Sequence, residues 1–197
     1  MSILGDYRVI ELADERGQLA GSVLASLGAE VITVEPPGGS HSRTLGPFAG
    51  DVVSPDTSLW HWSYNRGKKS VVLDLDVGAD RDELLRLTDG ADIVLDDFGP
   101  EVLQTMGLGY EVMSERNPAL IHVSISAFGD DGPKAFWEAS DLTIMASGGQ
   151  MSLAGDLDRA PLRIPLPQAY MHASSEAVGA ALIALYERQH NSGLGQH

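Results

Sequence analysis

Arg8-Val9-Ile10-Glu11-Leu12, followed nineteen positions later by Val31-Ile32-Thr33-Val34, is the stretch whose reading decides the fold. Both runs are apolar and β-branched enough to be strands buried in a sheet. Between them, Gly17 to Leu27 is rich in Ala, Leu and Ser, and Leu27-Gly28-Ala29 places a glycine where a helix would stop. Glu35-Pro36-Pro37-Gly38-Gly39 then halts the second run. Strand, helix and strand within roughly thirty residues are the pattern of a right-handed parallel crossover.

The same alternation continues outward. Ser70–Leu75, Ile93–Leu95 and Leu120–Ser126 read as further strands. Asp82–Thr88, Glu101–Thr105, Tyr110–Arg116, Asp141–Ala146 and the long, small-residue-rich Ser174–Arg188 read as helices. This predicts a doubly wound, Rossmann-like α/β fold with a parallel sheet of about six strands. The first strand-to-helix junction, Ala13-Asp14-Glu15-Arg16-Gly17-Gln18-Leu19-Ala20-Gly21, is not G-x-G-x-x-G. It carries two carboxylates where a pyrophosphate would sit, which argues against dinucleotide binding there.

Bulk properties narrow the function. The 197 residues are 43% hydrophobic, ordinary for a globular domain, and contain no cysteine, so disulfides and thiolate metal sites are excluded. A formal charge of −15 argues against nucleic acid as a partner, because affinity there comes from neutralised phosphates. The apolar runs at Leu24–Leu27 and Ala177–Leu185 are too short or interrupted for a membrane span, and Met1-Ser2-Ile3-Leu4-Gly5-Asp6 turns acidic at once. A cytoplasmic protein is the expectation. Arg66-Gly67-Lys68-Lys69 is the one dense basic cluster, either a solvated turn or the place for an anionic ligand.

An ordered series of segments resembles family III CoA-transferases, the group that includes formyl-CoA transferases, crotonobetainyl-CoA:carnitine CoA-transferases and α-methylacyl-CoA racemases. The series runs from Leu27-Gly28-Ala29-Glu30-Val31-Ile32 to Asn65-Arg66-Gly67-Lys68-Lys69-Ser70, then Ala91-Asp92-Ile93-Val94 and Asp97-Phe98-Gly99-Pro100. It continues through Met106-Gly107-Leu108, Asn117-Pro118 and Ser124–Gly129 to Ser192-Gly193-Leu194-Gly195-Gln196. Members are usually about twice this length. The resemblance therefore implies that residues 1–197 are the N-terminal part of the large domain, without its C-terminal half or the small domain. It also implies an oligomer, either with a second copy or with another CoA-transferase chain.

Such enzymes move CoA between carboxylic acids. An aspartate attacks the thioester carbonyl to give a mixed anhydride, and the CoA thiolate returns to form an enzyme thioester. The acceptor acid then repeats the exchange. By the resemblance, that aspartate falls at Tyr170, or at Ala169 with a one-residue shift, and neither is acidic. The nearest carboxylates are Asp141, Asp158 and Glu176, and His172 lies close by; un-ionised phenol is no ready replacement for a carboxylate. The racemase branch needs a histidine before Asp141, where this chain has Ser140. The catalytic residue is thus unassigned, and three readings stay open: a CoA-transferase whose aspartate is supplied by a partner subunit, a non-catalytic acyl-CoA-binding or structural subunit, and an enzyme with altered acyl-CoA chemistry using Tyr170, His172 or Glu176.

The positions implied to hold CoA or an acyl-CoA, with no metal, survive better. Lys68 and Lys69 match residues near the nucleotide phosphates, Ser70 and Leu73 border the adenine, and Asp97, Phe98, Gly99, Pro100 and Met106 surround the nucleotide end. Asp97 stands where asparagine is usual. Pro36-Pro37 lack the nearby phosphate-binding arginine, for which Arg43 is a substitute candidate. The acid partner of the reaction is a small carboxylic acid of unread identity.

Overall fold

The computed structural model describes residues 2–197. Five strands, Arg8–Leu12 (β1), Glu30–Glu35 (β2), Lys69–Val72 (β3), Ile93–Asp96 (β4) and Ile121–Ser124 (β5), form one all-parallel sheet in the order β3-β2-β1-β4-β5. The count is five, not about six. Strand β3 ends at Val72, before Leu73-Asp74-Leu75, and β5 ends at Ser124.

Seven α-helices connect and cover the strands among the described residues: Gln18–Ser26 (α1), Leu59–Asn65 (α2), Gly78–Thr88 (α3), Val102–Thr105 (α4), Tyr110–Arg116 (α5), Asp141–Ser147 (α6) and Gln168–Glu187 (α7). Strand alternation divides the core into two layers. Val9, Val31, Ile93, Leu95 and Ile121 pack under α1 and α7, where Ala20, Leu24, Ala177, Ala181 and Ala184 allow close approach. Ile10, Leu12, Val34 and Val94 pack under α3, α4 and α5 against Leu84, Leu103 and Met113. A parallel sheet with helices on both faces is the arrangement its apolar strands require. No helix among the described residues is long and apolar enough to cross a membrane.

Three helices differ from the sequence reading: α3 starts at Gly78, four residues before Asp82, and α2 and α7 differ for local reasons. Helix α2, Leu-Trp-His-Trp-Ser-Tyr-Asn, has no helical apolar period and is held at its start by Ser58 Oγ, which accepts from His61 N at 3.1 Å. Helix α7 starts six residues before Ser174, directly after Pro167. Its second residue is capped from outside: Ala169 N donates to the Asp141 carboxylate of α6 at 2.8 Å. Beyond α1, Gly28 takes φ 105° and its N–H closes on Ala25 O at 2.9 Å, the left-handed stop implied by Leu27-Gly28-Ala29.

Candidate functional site

Strand order reverses direction between β1 and β4, so the crevice outside their carboxyl ends is where such a fold binds ligands. One wall is the Asp14–Gly17 loop after β1; the other is Asp97-Phe98-Gly99-Pro100 after β4. The loops are tied by side-chain carboxylates. Asp97 Oδ2 accepts from the backbone N–H of Asp14 (2.9 Å) and Gly17 (3.1 Å). Asp14 in turn accepts from His41 N (2.6 Å) and Ser42 N (2.9 Å) in the loop after β2. The donors that a dinucleotide fold offers to pyrophosphate are therefore satisfied by the protein's own carboxyl group, that of Asp97. Burial pushes the Asp97 carboxyl up to about 7, and the neighbouring Asp14 adds to the rise. A side chain at Gly17 would meet Ala13 Cβ at 2.7 Å and crowd Ile125 and Asp97, so this contact needs glycine.

Asp97 and Phe98 divide the crevice in two. Over β1–β3 lies a cleft of about 290 Å³ with Leu73, Leu75, Met106 and Phe98 as apolar wall and Asp14, Asp74, Asp76 and Asp97 as charges. Over β4 and β5 lies a cleft of about 450 Å³ with Phe98, Gly99, Pro100, Phe136, Trp137 and Arg16. Arg16 also closes a smaller cavity of about 80 Å³ lined by Ile125, Ile144, Ala169, Tyr170 and Ala173. Its guanidinium carbon lies 5.9 Å from the Tyr170 ring centroid.

The structure thus brings Leu73, Asp97, Phe98, Gly99, Pro100 and Met106 together, and sets Lys68, Lys69 and Ser70 elsewhere. Lys68 Nζ is buried and donates to both Glu11 oxygens (2.8 and 2.7 Å) and to Gln18 O (3.0 Å). Desolvation pushes Glu11 up and Lys68 down, each against the attraction of the other. A Cβ at Gly21 would collide with the Glu11 carboxylate, so α1 sits directly on the pair. Lys69 pairs with Glu30 at the amino-terminal edge of the sheet, whereas the crevice lies at the carboxyl ends. Ser70 Oγ donates to Glu35 at 2.6 Å.

Arg43 is committed in the same way. It forks onto Glu35 through Nε (2.5 Å) and Nη2 (2.7 Å), which holds that carboxyl far below the usual carboxylate range. Its Nε and Nη2 are thereby taken up by Glu35. The carboxylates near the expected nucleophile are also elsewhere: Asp141 caps α7, Asp158 lies in the exposed loop before it, and Glu176 is exposed on it. His172 is exposed on α7 as well. Among the described residues, no carboxylate lines the Tyr170 cavity.

Comparison with known proteins accounts for this architecture. The family model for CoA-transferase family III matches residues 4–197. Succinyl-CoA:(R)-benzylsuccinate CoA-transferase subunit BbsE of Thauera aromatica is 37% identical over 190 residues, 96% of this chain and 46% of that protein. A probable fatty acyl-CoA transferase of Mycobacterium tuberculosis is 36% identical over 184 residues, 91% of this chain and 46% of its own. The crystal structure of a CAIB/BAIF family protein from Brucella suis superposes with a TM-score of 0.90 at 36% identity, covering 98% of this chain and 51% of that one. The chain spans about half the length of the curated relatives it matches. In sequence along nearly its whole length and in fold, it belongs to CoA-transferase family III.

Proposed function

We propose that this chain is the CoA-holding half of a CoA-transferase that moves CoA between an acyl-CoA and a carboxylic acid, with the carboxylate nucleophile supplied by another chain. The observation that carries the reading is the contrast at one crevice. The apolar residues suited to a nucleotide are gathered at the switch point, while the adjoining cavity presents Tyr170 and no carboxylate. Leu73, Leu75, Phe98 and Met106 would take the adenine, and the thioester would point past Arg16 to the cavity.

The chain's own residues bind and orient; they do not form the anhydride. The relatives' names agree in chemistry, each being a CoA-transferase or acyl-CoA transferase, and BbsE is named as a subunit. Ile183 and Tyr186, 72% and 64% exposed on the outer side of α7, are apolar surface on which a second chain would be seated. A homo- or hetero-oligomer follows from this reading, as does a location with the soluble acyl-CoA pool.

The test has two parts, both on the chain as it stands. Calorimetry should show CoA binding. Incubation with acyl-CoAs followed by hydroxylamine and peptide mass spectrometry should show no covalent adduct. An acyl or CoA adduct on Tyr170 or Glu176 would establish altered chemistry in this chain, and absence of CoA binding would remove the reading altogether.

A further inference from the structure

We propose that the open cleft beside helix α2, lined by Arg43, Asp56, His61, Trp62, Asn65 and Arg66, is a binding site for a phosphate group, separate from the switch crevice. It shares no lining residue with the two clefts over the sheet, and it does not depend on the CoA-transferase reading.

The donor that defines the cleft is His61, which is only 7% exposed. Its Nδ1 lies 2.8 Å from the hydroxyl of the fully buried Ser42 and 3.2 Å from Asn65 Nδ2. Asn65 Nδ2 also donates to the His61 carbonyl at 3.0 Å, which fixes the orientation of the amide. An amide nitrogen can only donate, so Nδ1 is an acceptor. Burial, with the Arg43 charge adding to it, pushes the ring below its ordinary pKa. The ring is therefore neutral at pH 7 and carries its proton on Nε2. That N–H has no partner in the chain and, unlike His122 Nδ1, is not sealed in the interior. A free donor on a side chain so deeply buried, at the wall of a cleft, calls for an acceptor from a ligand.

The charges in the same cleft decide the sign of that ligand. Arg66, which ends α2, is exposed and pairs with no carboxylate among the described residues. Arg43 spends Nε and Nη2 on Glu35 and keeps Nη1, which has Asp56 at 3.9 Å. Of the two carboxylates, Glu35 is buried and already accepts from Arg43, Ser40 and Ser70. The Asp56 side chain is 91% exposed, so water and salt screen its repulsion. Two guanidinium groups and an imidazole N–H suit an oxyanion with three or more acceptor oxygens, whereas a carboxylate has two. Trp62, half-exposed in the same cleft, offers a ring to the organic part of a phosphomonoester.

Inorganic phosphate and phenyl phosphate serve as probes on the intact chain, with acetate at the same ionic strength for comparison. The readout is the His61 Nε2–H signal in proton–nitrogen NMR spectra, titrated at pH 7, with CoA affinity measured alongside. Both phosphates should move that signal, phenyl phosphate at the lower concentration because of Trp62, and acetate should bind more weakly. Arg66→Ala, an exposed change outside the core, should weaken phosphate by about tenfold or more, because a charge-assisted hydrogen bond is lost. Asp56→Asn should tighten it by removing the opposing charge. CoA affinity should be the same in Arg66→Ala and in wild type. A His61 signal that phosphate leaves in place, or phosphate affinity unchanged in Arg66→Ala, would overturn the site. CoA and phosphate affinity falling together in Arg66→Ala would overturn its separateness and make the cleft part of the CoA site. Acetate binding as tightly as phosphate would overturn the preference for phosphate. Phosphate binding here by a chain that takes no CoA would leave this site standing and defeat the transferase reading alone.

Discussion

Two carboxylates are withdrawn from water within a few residues of the switch crevice, and they are stabilised by different means. Glu11 lies in the middle of β1 with a lysine ammonium 2.7 Å away and the Thr33 hydroxyl at 2.6 Å. Asp97 lies just past β4 with two backbone N–H groups and no cation bonded to it. Counter-charge makes the first part of the architecture, hidden under α1. Amide dipoles alone leave the second with its pKa near neutrality, facing both clefts. Burial thus yields either a scaffold or a titratable site wall, depending on whether the partner carries charge.

Breaking the first pair should have the largest effect. Lys68→Met leaves Glu11 buried without its cation, which typically costs about 3–5 kcal/mol. Urea denaturation of the variant should show that loss, and adding Glu11→Gln should recover most of it because no uncompensated charge remains. A Lys68→Met protein of unchanged stability that binds CoA weakly would return Lys68 to the ligand site.

Asp97 sharpens the comparison through pH. Its folded pKa, about 7, is above the unfolded value of about 3.9, so the native state holds a proton that the unfolded chain releases. Its stabilising contribution is complete below about pH 4 and is lost as pH rises through about 7. Asp97→Asn keeps an acceptor for Asp14 N and Gly17 N without a charge to desolvate. The variant should therefore be more stable than wild type at pH 8, by about 4 kcal/mol at most, and no more stable at pH 4. CoA should bind wild type better at pH 6 than at pH 8, since Asp97 lines the cleft proposed for the nucleotide and its ionised form would repel an anionic ligand there, and this dependence should flatten in the variant. Equal stability of the two proteins at pH 8 would show that Asp97 is not strained by burial.

How far this was legible beforehand varies by residue. The β1–α1–β2 unit was readable because apolar runs and Leu27-Gly28-Ala29 act locally. So was the crevice wall Asp97–Pro100 with Leu73 and Met106, through the family resemblance. The roles of Lys68 and Lys69 were not, because pairing is set by strand order: β3 beside β2 carries its basic entry toward acids of β1 and β2. One signal was present, since a glutamate inside an apolar strand must find a cation. Arg16 was passed over because its value lies in a contact with Tyr170, 154 positions away, which no local pattern encodes. Helix α2 was missed since its aromatic sequence has no period to read.

The smallest expected effect belongs to Lys69, the neighbour of the buried lysine. Its side chain is 69% exposed and its partner Glu30 is shared, since Arg8 Nε also donates to Glu30 at 2.6 Å. Lys69 and Arg8 together lower the Glu30 carboxyl, so the pairing helps above the usual carboxylate range and fades in acid. An exposed pair contributes little, because water and salt screen it and the flexible side chain must be ordered. Lys69→Ala should thus cost less than about 1 kcal/mol, with Arg8 keeping Glu30 paired. The small loss should shrink further at high salt, and CoA affinity should stay unchanged because Lys69 is at the far edge of the sheet. A drop in CoA affinity in Lys69→Ala would mean that the nucleotide reaches around β3 to the amino-terminal edge, and the two lysines would then differ in stability but share a ligand.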